Sequence, residues 1–411
     1  MGGQASKETD QEQMAESVTT ARLQPFLQKL KDKCQNGPVT EAHFKNLFPC
    51  EGHPLVCRIY RILCSEHGDF FDNVSTLFSN ILLMESAVDK VGYYLSLYVS
   101  QDGTHHEEDV EEFVGTAFTL FLTNLKISHN ASEAEKNTMM SVRTGLTTSV
   151  AEAKNYILTN CPGLVPEVHC WLTTQITRPG MSEGVDYSDG PCKTVDQLLN
   201  MASWWLFSCS LPSLYTNFQS ASNHEAEKQY FMPLYNSSEH GQSMNRFQHH
   251  VLAYRGPTVT LVAFQDHVIA VALDSEWRDG TGSIGGVNCA CVMLTSKYEI
   301  IEEGEGMAMF NMRSRNIAKG ISIGRNRKNP VLVIESGMEE VTYKMETYNL
   351  KRIEVWGCGG DAAKTEQLKQ KQREVKDAEK NLKVKRPGRW DDNPDRYLLE
   401  LGGVKVNHAE S

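Results

Sequence analysis

Short apolar runs, separated by turns that carry glycine, fill the second half of the chain. The runs richest in valine and isoleucine cover residues 258–264, 267–273, 289–294 and 330–335. Continuous apolar runs with many β-branched residues are typical of buried strands, so we predict a strand at each. Gly280 and Gly286 lie between the runs and Gly337 follows the last, and glycine favours turns because it reaches positive φ without a steric penalty.

Residues 21–177 follow a helical period instead. Leu23, Phe26, Leu27 and Leu30 recur on one helical face, and the same spacing returns at Val110, Phe113, Val114, Ala117 and Phe118. Apolar residues three and four positions apart form the buried stripe of an amphipathic helix. We therefore predict a helical domain at 21–177, preceded by a polar, disordered start at 1–20.

Two loops in this helical region can be aligned with the calcium loop of an EF-hand. With Gly37 at the sixth position, the first loop offers Asp32, Cys34, Asn36 and finally His43. With Gly103 there, the second offers Tyr98, Ser100, Asp102 and Asp109. Calcium needs more oxygen ligands than either loop supplies. Two interpretations stay open: a degenerate EF-hand pair that serves as a helical scaffold, and an unrelated helical bundle.

Composition changes again on either side of the strand-rich region. Glycine, proline, serine and aspartate cluster in 178–203, which predicts a linker and a lead-in helix before the buried tryptophans Trp204 and Trp205. Residues 361–388 predict a charged helix. Its weak apolar stripe is formed by Leu368, Val375, Ala378 and Leu382, and its basic end by Lys383, Lys385 and Arg386. In the final segment, 389–411, we expect Trp390, Tyr397, Leu398 and Leu401 to pack back onto the preceding domain.

Charge and hydropathy exclude several classes of protein. The net charge of −11 argues against a nucleic-acid-binding protein, which needs a basic face for phosphates. No apolar stretch is long enough for a transmembrane helix, and the polar start does not resemble a signal peptide. The 11 cysteines predict reduced thiols in a cytosolic setting. Cys57 and Cys64 are spaced to share a helical face, so we interpret them as core residues and not as zinc ligands.

The first residues match the pattern for N-myristoylation, with Gly2 after the initiator and Ser6 in the required place. The alternative is a polar start without a lipid. One myristoyl chain gives only marginal membrane affinity, so stable anchoring would need a second signal. We therefore expect a peripheral attachment to a membrane surface at most.

The search for catalytic residues gives weak candidates. His240 and Ser243 lie close in sequence, but no nucleophile elbow surrounds the serine, and a turn before a helix is the simpler interpretation. Cys289 and Cys291 alternate on a predicted strand and would be inert if they face the interior. Glu354, near Trp356, could accept structural hydrogen bonds or contact a partner. We predict no enzyme activity, cofactor or metal site.

Several pieces together resemble the TLDc domain family. They are His240-Gly-Gln-Ser243, Arg255-Gly-Pro257, Trp277, the strand at 289–294, Ser322-Ile-Gly324 and the closing Ile353-Glu-Val-Trp-Gly357. The resemblance covers about residues 204–360. One departure is the basic run that begins at Arg325, which leaves the partner surface there in doubt.

The resemblance implies an α+β fold in which two mostly antiparallel sheets pack together with helices outside. It also implies binding to the peripheral-sector subunits of the vacuolar proton-pumping ATPase, modulation of its assembly, and a link to oxidative-stress resistance. The layout is similar to that of acylated, lysosome-associated family members linked to mTOR-type kinase signalling.

The candidate partner-binding residues are His240, Gly241, Ser243, Gly324, Arg325, Glu354, Trp356, Lys383, Lys385, Arg386 and Trp390. Two other functions stay open. One is a membrane-tethered scaffold for kinase signalling. The other is a thiol-dependent antioxidant enzyme, which would need an exposed cysteine of low pKa.

Overall fold

The computed structural model describes residues 5–34, 37–99, 106–179, 197–216, 231–382 and 401–403. The first half is helical. Its helices are α1 (Ala5–Cys34), α2 (Glu41–Lys45), α3 (His53–Ser65), α4 (Phe70–Leu83), α5 (Ala87–Ser96), α6 (Glu107–Asn124), α7 (Glu133–Met140), α8 (Arg143–Leu146), α9 (Val150–Asn160) and α10 (Leu164–Thr177). The predicted apolar stripes are confirmed, since Leu23, Phe26 and Leu30 are buried, as are Val110 and Phe113.

Helix α1 begins at Ala5, inside the stretch 1–20 that was expected to be disordered. That stretch is polar but contains three glutamates, three glutamines and two alanines, which favour helices. The prediction of disorder is therefore wrong for residues 5–20, because it depended on polarity alone.

Three of the described candidate ligands in the EF-hand-like loops lie in helices or are engaged in other contacts. Asp32 and Cys34 belong to α1, and Cys34 is buried. Asp109 Oδ1 accepts a hydrogen bond from Arg58 Nη2 at 2.7 Å. The remaining loop positions at Asn36, Ser100, Asp102 and Gly103 lie outside the described residues.

The expectation of core cysteines in α3 is wrong for Cys64, which is exposed, while Cys57 is half-buried. The buried stripe of α3 runs through Leu55, Val56, Ile59 and Leu63. Seven-residue spacing does place both cysteines on one side of the helix, but that side is the margin of the stripe.

A second set of elements follows. The helices are α11 (Met201–Ser210), α12 (Ser213–Thr216), α13 (Ser237–His240), α14 (Met244–Val251) and α15 (Gly360–Leu382). The strands are β1 (Met232–Asn236), β2 (Thr258–Phe264), β3 (His267–Leu273), β4 (Ala290–Met293), β5 (Glu299–Glu303), β6 (Ala308–Asn311), β7 (Gly320–Ile323), β8 (Leu332–Glu335), β9 (Glu340–Tyr343) and β10 (Glu346–Gly357). Trp204 and Trp205 of α11 are buried, as predicted.

The strands form two antiparallel layers that are joined through β10. In hydrogen-bonding order they run β5-β4-β3-β2-β10-β9-β8-β7-β6, with β1 also paired to β10. Residues 346–349 of β10 pair with β9, whereas residues 350–357 pair with β2. The two predicted sheets therefore share one long strand, and the α+β class is confirmed.

Each face of the β2–β3–β4 layer packs against a different core. Val262, Ile269 and Cys291 belong to the core shared with β7, β8 and β9. Val259, Leu261, Ala270, Ala272 and Val292 belong to the core of the helical half. Side chains alternate between the faces of a strand, so each strand serves both cores.

Hydrogen bonds reinforce the contact between the halves. Tyr156 Oη of α9 donates to the carbonyl of Tyr298 at 2.6 Å, and the N–H of Ile300 donates to Asn160 Oδ1 at 2.9 Å. The helical half therefore covers an apolar face of the sheet that would otherwise be exposed to water.

The expectation that the C-terminal segment packs onto the domain is wrong at Leu401, the one of its four named residues that the structure describes. Leu401 is 71% exposed, so it does not pack on the domain; Trp390, Tyr397 and Leu398 lie outside the described residues. Within the described ranges, no helix has both the length and the apolar content to cross a membrane.

Candidate partner-binding site

Helix α15 starts from a close contact between two glycines. A Cβ on Gly256 would lie 2.9 Å from the Cα of Gly359, too near for any other residue. The N–H of Gly359 donates to Tyr254 Oη at 2.8 Å. This contact fixes the direction in which α15 leaves the sheet.

Gln367 then holds the second turn of α15 against the end of α14. Its side chain is fully buried, and Nε2 donates to the carbonyls of His250 and Leu252 at 2.9 and 3.1 Å. The last carbonyls of a helix have no partner within it, so this one amide satisfies two of them. Arg255 Nη2 adds a weaker bond to Gln370 Oε1 at 3.3 Å.

A histidine cluster lies beneath this contact. The ring centroids of His240 and His250 are 3.9 Å apart, and those of His249 and His250 are 5.1 Å apart. His240 Nδ1 accepts from the N–H of Asn236 at 3.0 Å, which defines the ring's orientation. In the described part of the chain, no group of three or more His, Cys, Asp or Glu side chains is arranged to hold a metal ion.

Burial and nearby cations oppose the protonation of His250. Burial lowers the pKa of His250 to about 4, helped by His240, His249, Lys371 and Lys364. Burial also lowers the pKa of both lysines, which lie on α15. The contact between α15 and the domain therefore favours a neutral His250.

Beyond this contact the C-terminal part of α15 is exposed. A groove of about 610 Å³ separates it from the domain, with Asn245, His249, Glu276, Arg278, Arg313, Lys371 and Glu374 among its lining residues. Residues 372–380 are all exposed. Leu368 and Val375 are 50% and 58% exposed, and their seven-residue spacing places them on one face. Such a helix can lay its apolar stripe in a partner's groove.

Three of the predicted residues lie at this site. His240 ends α13, Gly241 follows with φ of 86°, and Ser243 precedes α14. The expected helix after the turn is thus present. Tyr235 Oη donates to the carbonyl of Gly241 at 2.8 Å, so the glycine shapes the turn that positions His240.

Gly324 and Arg325 lie elsewhere. Gly324 is buried with φ of 126°, and a Cβ there would be 2.7 Å from the backbone nitrogen of Val331. The N–H of Arg325 donates to Glu302 Oε2 at 2.7 Å, and its exposed side chain lines a cavity of about 370 Å³ that Thr159 of α9 also lines. Gly324 is therefore a turn residue, while Arg325 lies at the junction with the helical half.

Glu354 and Trp356 are interior residues and do not present a partner surface. Glu354 is fully buried and Trp356 is 4% exposed. The carboxylate accepts from the N–H groups of Leu198 and Leu199 at 3.0 and 3.3 Å, from Trp356 Nε1 at 3.0 Å, and from Arg352 at 2.8 Å. Of the two roles considered for Glu354, the structural one is observed.

A second carboxylate holds the same segment from the helical half. Glu135 Oε1 accepts from the N–H of Met201 at 3.0 Å, next to the residues that Glu354 holds. Burial raises the pKa of Glu135, but hydrogen bonds from Ser132 and His129 outweigh burial, and the pKa lies below its ordinary value. Residues 198–201 are therefore bound by one carboxylate from each half.

The cysteines of the strand region are poor nucleophiles. Cys289 Sγ donates to Asp274 Oδ1 at 3.3 Å, and burial raises its pKa to about 12. Burial also raises the pKa of Cys291. A thiol nucleophile needs the opposite shift. Among the described cysteines, Cys50, Cys64 and Cys170 are exposed.

No sequence pattern predicted the residues that hold α15 on the domain. His249 and His250 form an adjacent pair that could have drawn attention, whereas Gln367 is one glutamine among many in a charged helix. The remaining predicted residues, Gly2, Lys383, Lys385, Arg386 and Trp390, lie outside the described residues.

Comparison with known proteins agrees with the strand-rich region. Residues 208–359 match the family model of the TLDc domain. That match ends immediately before α15, so the helix follows the domain as a separate element. No curated protein matches the chain significantly.

Proposed function

Because the chain carries a TLDc domain at residues 208–359, we propose that it is a non-enzymatic regulator of the vacuolar proton-pumping ATPase. TLDc domains are associated in general with interaction with this pump and with resistance to oxidative stress. The chain would bind the peripheral sector of the pump and modulate its assembly or activity at the lysosomal membrane.

The observation that carries the proposal is the free arm of α15. It is fastened to the domain at Gly359 and Gln367, and then exposes residues 372–380 with the apolar side chains of Leu368 and Val375 on one face. A fixed origin reduces the conformational entropy that the arm loses when it binds. The arm therefore supplies a preorganised helix for a subunit of the pump.

Membrane attachment would come from an acyl chain on Gly2, supplemented by contact with the pump. A single acyl chain holds a protein only marginally, so a partner on the same membrane would provide the second attachment. A link to mTOR-type kinase components is part of this proposal only as a consequence of that location.

Co-sedimentation with the purified peripheral sector tests the proposal. We expect the full chain to bind, and the variant Leu368→Ser with Val375→Ser to bind at least tenfold more weakly, because two exposed apolar contacts are lost. Val287→Ser is the matched control, since Val287 is 68% exposed but lies outside α15.

The possible results separate the proposal from its alternatives. Equal loss in the control and in the α15 variant would show that α15 is not the contact. No binding by the full chain, under conditions where an established TLDc protein binds, would contradict the pump-regulator function and favour a membrane-tethered scaffold for kinase signalling.

A further inference from the structure

The helical half contains a cavity that the pump-regulator function does not use. It has a volume of about 750 Å³ and lies where α1, the end of α4, α5 and α10 meet. Its lining residues are Arg22, Leu82, Met84, Lys90, His169, Thr173, Thr174, Thr177 and Arg178. This volume lies in the range of small-molecule sites, about 300–1,000 Å³.

The lining has a one-sided charge. Arg22, Lys90 and Arg178 come from three different segments of the chain, and none of the described residues that line the cavity is an aspartate or glutamate. Among the described residues, the side chains of Arg22 and Lys90 have no hydrogen-bond or ion-pair partner. In a chain of net charge −11, cations gathered without acidic residues indicate a site for an anion.

His169 lies in the wall of the cavity, where Lys90 disfavours its protonation. Its residue is 9% exposed, and its Nδ1 lies 3.2 Å from Tyr94 Oη. Burial, and to a lesser extent the charge of Lys90, lowers the pKa of His169 to about 4. A neutral histidine in the wall can donate or accept a hydrogen bond without adding to the charge.

One of the three threonines that line the cavity offers a hydroxyl group to a ligand. Those of Thr173 and Thr177 donate to carbonyls within α10 at 2.8 Å. The hydroxyl of Thr174 has no hydrogen bond to a described residue and can turn towards a ligand. Guanidinium, ammonium and hydroxyl donors around one cavity are the groups that bind phosphate oxygens.

We propose that this cavity binds a group carrying two or more phosphates. Arg22 and Lys90, two cations on separate helices, suit several anionic groups spread over one ligand better than a single small anion. The inference is independent of the pump-regulator function, since it involves neither the TLDc domain nor α15.

Two sources could supply such a group: the headgroup of a phosphorylated lipid or a soluble phosphorylated metabolite. Leu83 and Val88, which are 47% and 46% exposed, flank the cavity-lining residues Leu82, Met84 and Lys90 and would suit the surface of a bilayer. Glu85 and Asp89 on the same turn are exposed and would be repelled by an acidic membrane. The shared chemistry is the clustered phosphate, and the experiment separates the sources.

Isothermal titration of the full chain with inositol 1,4,5-trisphosphate is the first test. We expect saturable binding that weakens at least tenfold in the double variant Arg22→Gln with Lys90→Gln. Lys319→Gln is the control, since it removes one exposed cation from the TLDc domain, away from the cavity lining. Circular dichroism and Tm verify that all variants are folded.

Flotation with vesicles forms the second arm. If vesicles with phosphatidylinositol bisphosphate bind the full chain and not the double variant, the lipid headgroup is the source. If the trisphosphate binds and the vesicles do not, the source is a soluble phosphate.

Two results would overturn the proposal. One is the absence of trisphosphate binding by the full chain. The other is binding that the double variant and Lys319→Gln retain equally, which would reduce the cavity to a solvent-filled groove. Because neither assay contains the pump, failure here leaves the pump-regulator function untouched.

Discussion

At the scale of single residues, Glu354 shows how a buried charge connects parts of a fold. Its carboxylate lies in β10 but holds the backbone of Leu198 and Leu199, which precede α11. A carboxylate without solvent requires such donors, because burying an unpaired charge costs several kcal/mol. Its energetic effect is therefore on the stability of the fold.

We expect Glu354→Gln to lower the free energy of unfolding by about 2–3 kcal/mol, because the amide keeps the shape but leaves Arg352 without its partner charge. Denaturant unfolding measures the effect. The control is Glu340→Gln, an exposed carboxylate on β9, for which we expect little change. Equal stability of Glu354→Gln and the wild-type chain would show that the carboxylate is not a structural acceptor.

Single residues also show what the sequence could not predict. The placement of Cys64 depends on which helical face meets the core, and spacing alone gives only that two residues share a face. The burial of Gln367 depends on carbonyls at the end of α14, more than a hundred positions away. Polar residues that become buried leave no periodic signal in the sequence.

At the scale of elements, two of the four predicted apolar strands have the predicted bounds, and the other two, β4 and β8, are shorter than predicted. The runs at 258–264 and 267–273 are the bounds of β2 and β3, because β-branched residues fill both faces of a strand between two cores. Strand β5 has the sequence Glu-Ile-Ile-Glu-Glu and is only partly buried, so no apolar run marks it. Edge position explains the weak signal, since β5 ends the strand order.

The contact of α15 with the histidine cluster predicts a dependence of stability on pH. The pKa of His250 lies at about 4 in the folded chain and near 6.5 when unfolded. Between these values the unfolded chain binds more protons, so the free energy of unfolding falls as pH drops from 6.5 to 4. The full stability contribution is present above pH 6.5.

Removing this histidine should flatten the pH dependence. We expect His250→Gln to retain roughly 1 kcal/mol more stability than the wild-type chain on going from pH 6.5 to 4, after allowing for solvent screening. Denaturant unfolding at both pH values measures it. His67→Gln, at an exposed histidine, serves as the control. If both variants keep the wild-type slope, the fold does not oppose the protonation of His250.

At the scale of the whole molecule, the helical half and the strand-rich half share part of their hydrophobic core. Val259, Leu261 and Ala270 of the sheet belong to the core of the helices, and carboxylates from both halves hold residues 198–201. The sequence predicted a helical region and a TLDc domain separated by a linker. It did not predict their shared core, because apolar strands are compatible with burial against any partner layer.

We therefore expect a fragment of residues 197–382 to aggregate. Without the helical half, the outer face of β2, β3 and β4 is exposed, and exposed apolar patches of this kind cause association. We expect strong binding of a hydrophobic fluorescent dye and aggregation by light scattering, with the full chain as the reference. A monomeric fragment that does not bind the dye would contradict the shared core.

The most direct test of the whole account is photo-cross-linking from α15 to the peripheral sector of the pump. A photoreactive amino acid replaces Val375 in one variant of the full chain and Val287 in a control, both exposed apolar positions. The account predicts a cross-link to a peripheral-sector subunit from position 375 and none from 287. Cross-links from 287 alone, or from neither position while the chain still co-sediments, would contradict the claim that α15 is the element that meets the pump.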